Sequence, residues 1–189
     1  CKNCAPGAYA NNVGQTLPCK LCETGRFYAL DVVSKRVKCK ECREGKYQSE
    51  TGQLSCNLCE IGRFSNNLAR VKCKSCEVGQ YSNEEGQLKC KQCPSGWEQG
   101  YLGKDSCDAC GEGTMSSVYN GGQLDPWGTK ECDDCNPGEY SPRASGACTL
   151  CPRGYESPSG DQGPFAAGYC QRCAPGTYYE NATTPVKCE

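Results

Sequence analysis

The chain has 189 residues, 21 of them Cys, and only 37% of it is apolar even with the cysteines counted. Without them the aliphatic and aromatic supply is too thin to offset the conformational entropy of one conventional core, and cysteine at this density marks a disulfide scaffold of an oxidising compartment. The net charge of −1 argues against a nucleic-acid partner, and no apolar stretch approaches the ~20 residues that cross a bilayer.

In chain order the cysteines fall in CxxC pairs at positions 1/4, 19/22, 39/42, 56/59, 73/76, 90/93, 107/110, 132/135, 148/151 and 170/173, followed by a lone Cys188. A glycine stands three residues after the second cysteine of every pair, from Gly7, Gly25 and Gly45 to Gly154 and Gly176. Two residues further on comes an aromatic in most copies: Tyr9, Phe27, Tyr47, Phe64, Tyr81, Tyr140 and Tyr178. Trp97 and Tyr155 sit directly after their glycines, and Thr114-Met115 fills the position in the seventh copy. Such self-similarity is the signature of a repeat architecture.

Glycine permits the positive φ needed to turn out of a crosslink, and the aromatic is expected to cover the disulfide as a miniature core. Residues 46–56 and 80–90 are predicted to form two short strands around a Gly-containing turn, and no loop carries a helical period. The fold class is therefore small disulfide-rich repeats: an elongated array of short β-hairpins and turns, with little or no helix and no single hydrophobic core. Each repeat is too small to fold alone and needs its crosslink and its neighbours.

Composition divides the array. Residues 1–93 form regular, basic repeats with 15 Lys/Arg against 9 Asp/Glu, and residues 94–189 form less regular, acidic, proline-richer repeats with 6 against 13. Residues 42–59 match 76–93 at a spacing of 34, which points to duplication of a two-repeat unit, and 1–19 resembles 170–188. The opening on Cys1 and the ending Cys188-Glu189 both read as interruptions of a repeat, hence a segment of a longer array.

CxxC pairs 13 residues apart also fit a zinc ribbon. Against zinc stand the absence of His, the equivalence of the loops (which zinc tetrads would break) and the secretory-pathway sequon at Asn181. No metal and no cofactor is expected. Among translational disulfide schemes, joining the second Cys of each pair to the first of the next uses 20 of the 21 cysteines, whereas the converse leaves three over. Parsimony favours Cys4–Cys19, Cys22–Cys39, Cys42–Cys56, Cys59–Cys73, Cys76–Cys90, Cys93–Cys107, Cys110–Cys132, Cys135–Cys148, Cys151–Cys170 and Cys173–Cys188. Cys1 is then unpaired or paired outside the chain.

The pattern C-x2-C-x2-G-x-[YF] resembles the ephrin-receptor-like cysteine-rich repeat of many surface proteins of animals, algae and other protists. It is also similar to the first module of tumour-necrosis-factor-receptor cysteine-rich domains, a resemblance that implies the same neighbour pairing. The resemblance covers the whole chain, and it implies spacer, adhesion and receptor-stalk roles alike.

The expected function is that of an extracellular or cell-surface structural repeat protein: a segment of a filament, surface coat or stalk, with flagellar hairs or similar fibrils as the expected setting. Its partner would be itself, head-to-tail or staggered, since the two halves carry opposite charge. The alternative is a receptor or adhesion ectodomain binding a protein or glycan, with Trp97, Tyr119, Trp127 and Phe165 as candidate contacts. No enzyme is expected, because there is no His, and the conspicuous carboxylate pair Asp133-Asp134 lies inside a crosslinked CxxC. Calcium at Asp125, Asp133 or Asp134 lacks the required ligand spacing. Ser141-Pro142, Ser157-Pro158 and Thr184-Pro185 read as turns rather than O-glycan sites.

Overall fold

Ten successive copies of Cys-x2-Gly dictate ten sharp turns. In the computed structural model, which describes residues 4–10, 18–31, 36–117, 119–120, 123–124, 128–158 and 167–177, φ is positive at every one of these glycines, from +75° to +89°. The Ala8 N–H donates to the Ala5 carbonyl at 3.1 Å, and the equivalent bond recurs from Arg26 to Glu23 and from Glu139 to Asn136. These are four-residue turns with glycine third, the type II arrangement. Pro6, Pro137 and Pro175 occupy the second position, where their fixed φ favours the same turn.

Each turn launches a short strand that pairs antiparallel with a later one. β1 (Ala8–Tyr9) pairs with β2 (Lys20–Leu21), β3 (Arg26–Asp31) with β4 (Arg36–Glu41), β5 (Lys46–Tyr47) with β6 (Asn57–Leu58), and β7 (Arg63–Phe64) with β8 (Lys74–Ser75). β9 (Gln80–Tyr81) pairs with β10 (Lys91–Gln92), and β11 (Trp97–Glu98) with β12 (Asp108–Ala109). β13 (Thr114–Met115) reaches past β14 (Tyr119–Asn120) and β15 (Gln123–Leu124), which pair with each other, to β16 (Asp133–Asp134). The last hairpins are β17 (Glu139–Tyr140) with β18 (Thr149–Leu150) and β19 (Tyr155–Glu156) with β20 (Gln171–Arg172). Among the described residues there is no helix. The return strand does not end at the cysteine, as the 46–56 and 80–90 readings have it. It consists of the two residues inside the next CxxC, because the first strand occupies the two positions after the glycine. In the second repeat both strands are longer, and β4 begins at Arg36, before the same two positions.

The chain divides into two compact units, Cys1–Cys76 with Ser82–Cys90 and Gly103–Asp105, and Glu77–Tyr81 with Lys91–Leu102 and Ser106–Glu189. In the first unit each repeat is tied to the next by main-chain bonds of three kinds. A motif glycine donates to the residue three places after the next motif glycine: Gly25 to Gln48, Gly45 to Ser65 and Gly62 to Ser82, at 2.7–2.8 Å. Those residues donate onward in turn, Gln48 to Arg70, Ser65 to Gln87 and Ser82 to Lys104, at 3.0–3.1 Å. The third kind runs backward to a cysteine carbonyl, from Gly52 to Cys22, Ala69 to Cys42, Gly86 to Cys59 and Gly103 to Cys76. The second unit repeats the scheme with Gly79 to Gln99, Gly96 to Ser116 and Gly113 to Ser141, with Gln99 to Thr129, Ser116 to Ser145 and Ser141 to Ala167, and with Ala144 to Cys110.

Glycine is required at the motif for a second reason. A Cβ built on Gly45 would fall inside the van der Waals envelope of the Gly86 carbonyl, two repeats on, and Gly62 stands in the same relation to Gly103. Gly45→Ala should therefore cost at least about 3 kcal/mol, the 1–2 kcal/mol of a left-handed alanine plus backbone displacement. Gly100→Ala, whose Cβ would meet only the Lys130 carbonyl at 3.6 Å, should stay within about 0.5 kcal/mol of wild type. Denaturant midpoints of the oxidised proteins measure both.

Candidate functional site

With so little aliphatic material the interior is built from sulfur and main chain. Nine disulfides join Cys4–Cys19, Cys22–Cys39, Cys42–Cys56, Cys59–Cys73, Cys76–Cys90, Cys93–Cys107, Cys110–Cys132, Cys135–Cys148 and Cys151–Cys170. Cys173 is also disulfide-bonded, while Cys188, its expected partner, lies outside the described residues. So does Cys1. In most pairs up to 132/135 the two cysteines are not equivalent: Cys22, Cys42, Cys59, Cys76 and Cys93 are 0% exposed, whereas Cys39, Cys56, Cys90 and Cys107 are half-buried. In 148/151 and 170/173 both cysteines are half-buried. The second cysteine lies inward because its carbonyl and amide both serve the ladder, as when the Cys59 amide donates to Gly45 and its carbonyl accepts from Gly86.

Among the described residues the motif aromatics do not form the interior. Tyr9, Phe27, Tyr47, Phe64, Tyr81 and Tyr140 are half-buried, and Trp97 is exposed at 39%. Their place is taken by a polar position that the Cys–Gly–aromatic pattern passes over, three residues after the motif glycine. Gln48, Ser65, Ser82, Gln99, Ser116 and Ser141 are all buried. A buried polar group must be hydrogen-bonded, and each of these is. The Ser65 and Ser82 hydroxyls donate to the carbonyls of Asn67 and Glu84. The Gln48 and Gln99 amides donate across their loops to Ser55 and Ser106 at 2.8 Å, and their carbonyl oxygens accept from the N–H groups of Glu50 and Tyr101. Ser116 and Ser141 reach the preceding repeat, donating to Trp97 at 3.1 Å and Thr114 at 2.7 Å. At Ser157 the logic inverts, and its hydroxyl accepts from the Gly138 N–H at 2.8 Å. Ser141 is thus closed to modification.

Of the candidate contacts, Trp97 is fixed by β11, and its carbonyl accepts from the hydroxyls of Ser116 and Thr129. The backbone of Tyr119 lies in β14 opposite Leu124. Trp127, Phe165 and the sequon at Asn181 lie outside the described residues. Tyr101 and Leu102, 71% and 61% exposed, are open apolar side chains that the repeat pattern gave no reason to single out. Asp133 and Asp134 are exposed. Among the described residues no group of three or more His, Cys, Asp or Glu side chains could hold a metal ion, and no helix is long and apolar enough to cross a membrane.

A series of cystine-closed hairpins, bonded to one another through main chain around a Gly-turn framework, defines a disulfide-rich extracellular repeat module. Residues 62–110 match the family model described as tyrosine-protein kinase ephrin type A/B receptor-like. That segment holds the motif glycines Gly62, Gly79 and Gly96 and the disulfides Cys76–Cys90 and Cys93–Cys107, and it is similar to the ephrin-receptor-like cysteine-rich repeat. No curated protein matches the chain.

Two outcomes test this interior. Removing one staple by Cys59→Ala with Cys73→Ala, a sequence separation of 14, should cost about 3 kcal/mol of unfolding free energy, with hydrogen exchange quickening first at the amides of Gly45 and Ser65. Ser82→Ala should cost about 1 kcal/mol in the same denaturant assay and leave the disulfides intact by mass spectrometry.

Proposed function

We propose that the chain is a structural repeat segment of an extracellular filament, surface coat or stalk, assembling by association with further copies of itself. The observation that carries this reading is the ladder: the same main-chain bonds recur from repeat to repeat, and the polar side chains that are buried are spent on the scaffold. The opposite charge of the two sequence halves, +6 for residues 1–93 and −7 for residues 94–189, supports head-to-tail or staggered packing of copies. Asn181 would carry an N-linked glycan in this setting.

A second reading, a receptor or adhesion ectodomain that binds a protein or glycan, is favoured by one observation, the match of residues 62–110 to a receptor-like family model. Trp97, Tyr119, Trp127 and Phe165 would then supply contacts. Electron microscopy of the purified, oxidised protein over a concentration series separates the two. Fibres, sheets or laterally packed arrays are expected. Discrete monodisperse particles at every concentration would reject assembly and leave the receptor reading.

A further inference from the structure

The segment that brings each repeat back to its disulfide keeps its place in the ladder while its side chains change character. It reads Leu54-Ser55-Cys56-Asn57, then Val71-Lys72-Cys73-Lys74, then Leu88-Lys89-Cys90-Lys91. One repeat later it becomes Asp105-Ser106-Cys107-Asp108, and after that Lys130-Glu131-Cys132-Asp133. Apart from the cysteines, all of these residues are exposed. Val71 at 45% and Leu88 at 50% are uncovered aliphatics, flanked by Lys72, Lys74 and Lys89 within the first unit. The Ser65 amide binds the Gln87 carbonyl, which places these two segments on successive steps. In the second unit the equivalent positions carry Asp108, Glu131 and Asp133, again on successive repeats.

The ladder bonds of these repeats are made by main chain on both sides of this switch, so the ladder itself does not require it. We infer that the Lys72/Lys74/Lys89 strip of one copy docks on the Asp108/Glu131/Asp133 strip of a second copy. Complementarity is the reason for choosing a second copy as the occupant. Both strips occupy the same positions beside the returning cysteine on two consecutive repeats, so lysines on consecutive steps face carboxylates on consecutive steps. Val71 and Leu88, each next to a lysine of the strip, would be covered in the contact, and the water they displace would strengthen each charge pair relative to open solvent. The strips belong to different parts of one chain, so a contact made once between two copies leaves one strip of each sign open on the pair, free to take up a further copy. The inference rests on the assembly reading above and names its surface.

Three variants in a Cys1→Ser background, which prevents disulfide exchange from imitating association, provide the test by analytical ultracentrifugation. Lys72→Glu/Lys74→Glu/Lys89→Glu and Asp108→Lys/Glu131→Lys/Asp133→Lys should each weaken self-association at least about tenfold, since like charges then face each other. Mixing the two should restore it, because every contact again joins opposite signs. For the Cys1→Ser protein alone, raising ionic strength from about 0.01 M to about 1 M shortens the screening length from about 30 Å to about 3 Å and should weaken association by a similar factor. Association that neither triple variant changes would overturn this surface and leave the assembly reading standing. Loss with the lysine variant while the acidic variant assembles normally would overturn the pairing. Absence of association even at the lowest ionic strength would overturn both.

Discussion

A carbonyl from one repeat rests on the bare Cα of a glycine two repeats earlier, and much else follows from that approach. It needs an atom to be missing at Gly7, Gly25, Gly45, Gly62 and Gly96, whereas at Gly154 and Gly176, where a Cβ would meet nothing within 4 Å, the positive φ is what calls for glycine. It also needs the glycine to hold a positive φ, so that its N–H points outward to a neighbour. The same residue therefore makes the turn, supplies a ladder donor and leaves room for the repeat beyond. A side chain at this point would disturb three consecutive repeats.

The energetic division of labour follows. Each cystine contributes on the order of 3 kcal/mol by restricting the unfolded chain, and each ladder bond nets about 1 kcal/mol. Neither term requires much apolar surface. The chain can thus be poor in aliphatic residues, leave Leu54, Leu88 and Leu102 exposed and still specify its fold. What apolar burial remains is concentrated on the inner sulfurs, and this asymmetry between the two cysteines of a pair is a product of the ladder. The outer cysteine closes the loop, whereas the inner one is enclosed by main-chain bonds on both sides.

Much of this was legible in the order of residues. The spacing of cysteine, glycine and aromatic carried the hairpin architecture, the turn at Gly45 and its equivalents, and the extracellular class. Two features were not legible, for different reasons. Aromatics such as Tyr47 and Phe64 are the largest apolar groups available, so burial was expected of them. They are only half-buried because two-residue strands are too narrow to enclose a ring. Conversely, Ser65, Ser82 and Gln99 look like ordinary surface residues, since polarity signals exposure when a segment is read alone. Their burial comes from a neighbouring repeat that no local window contains. The available signal was positional: Ser or Gln stands three residues after the motif glycine in seven of the ten repeats, a restriction that a solvent-facing position would not need.

The seventh repeat carries an added hairpin, β14 with β15, between Ser116 and Thr129. On either side of it, Ser116 still donates to Ser145 and Thr129 still accepts from Gln99. The interval between those two positions is therefore a permissive port. Chain of another length or composition can be spliced in there, by evolution or by design, without renegotiating the scaffold. A fold of this kind could acquire new recognition elements one loop at a time, each tested against a framework already able to stand.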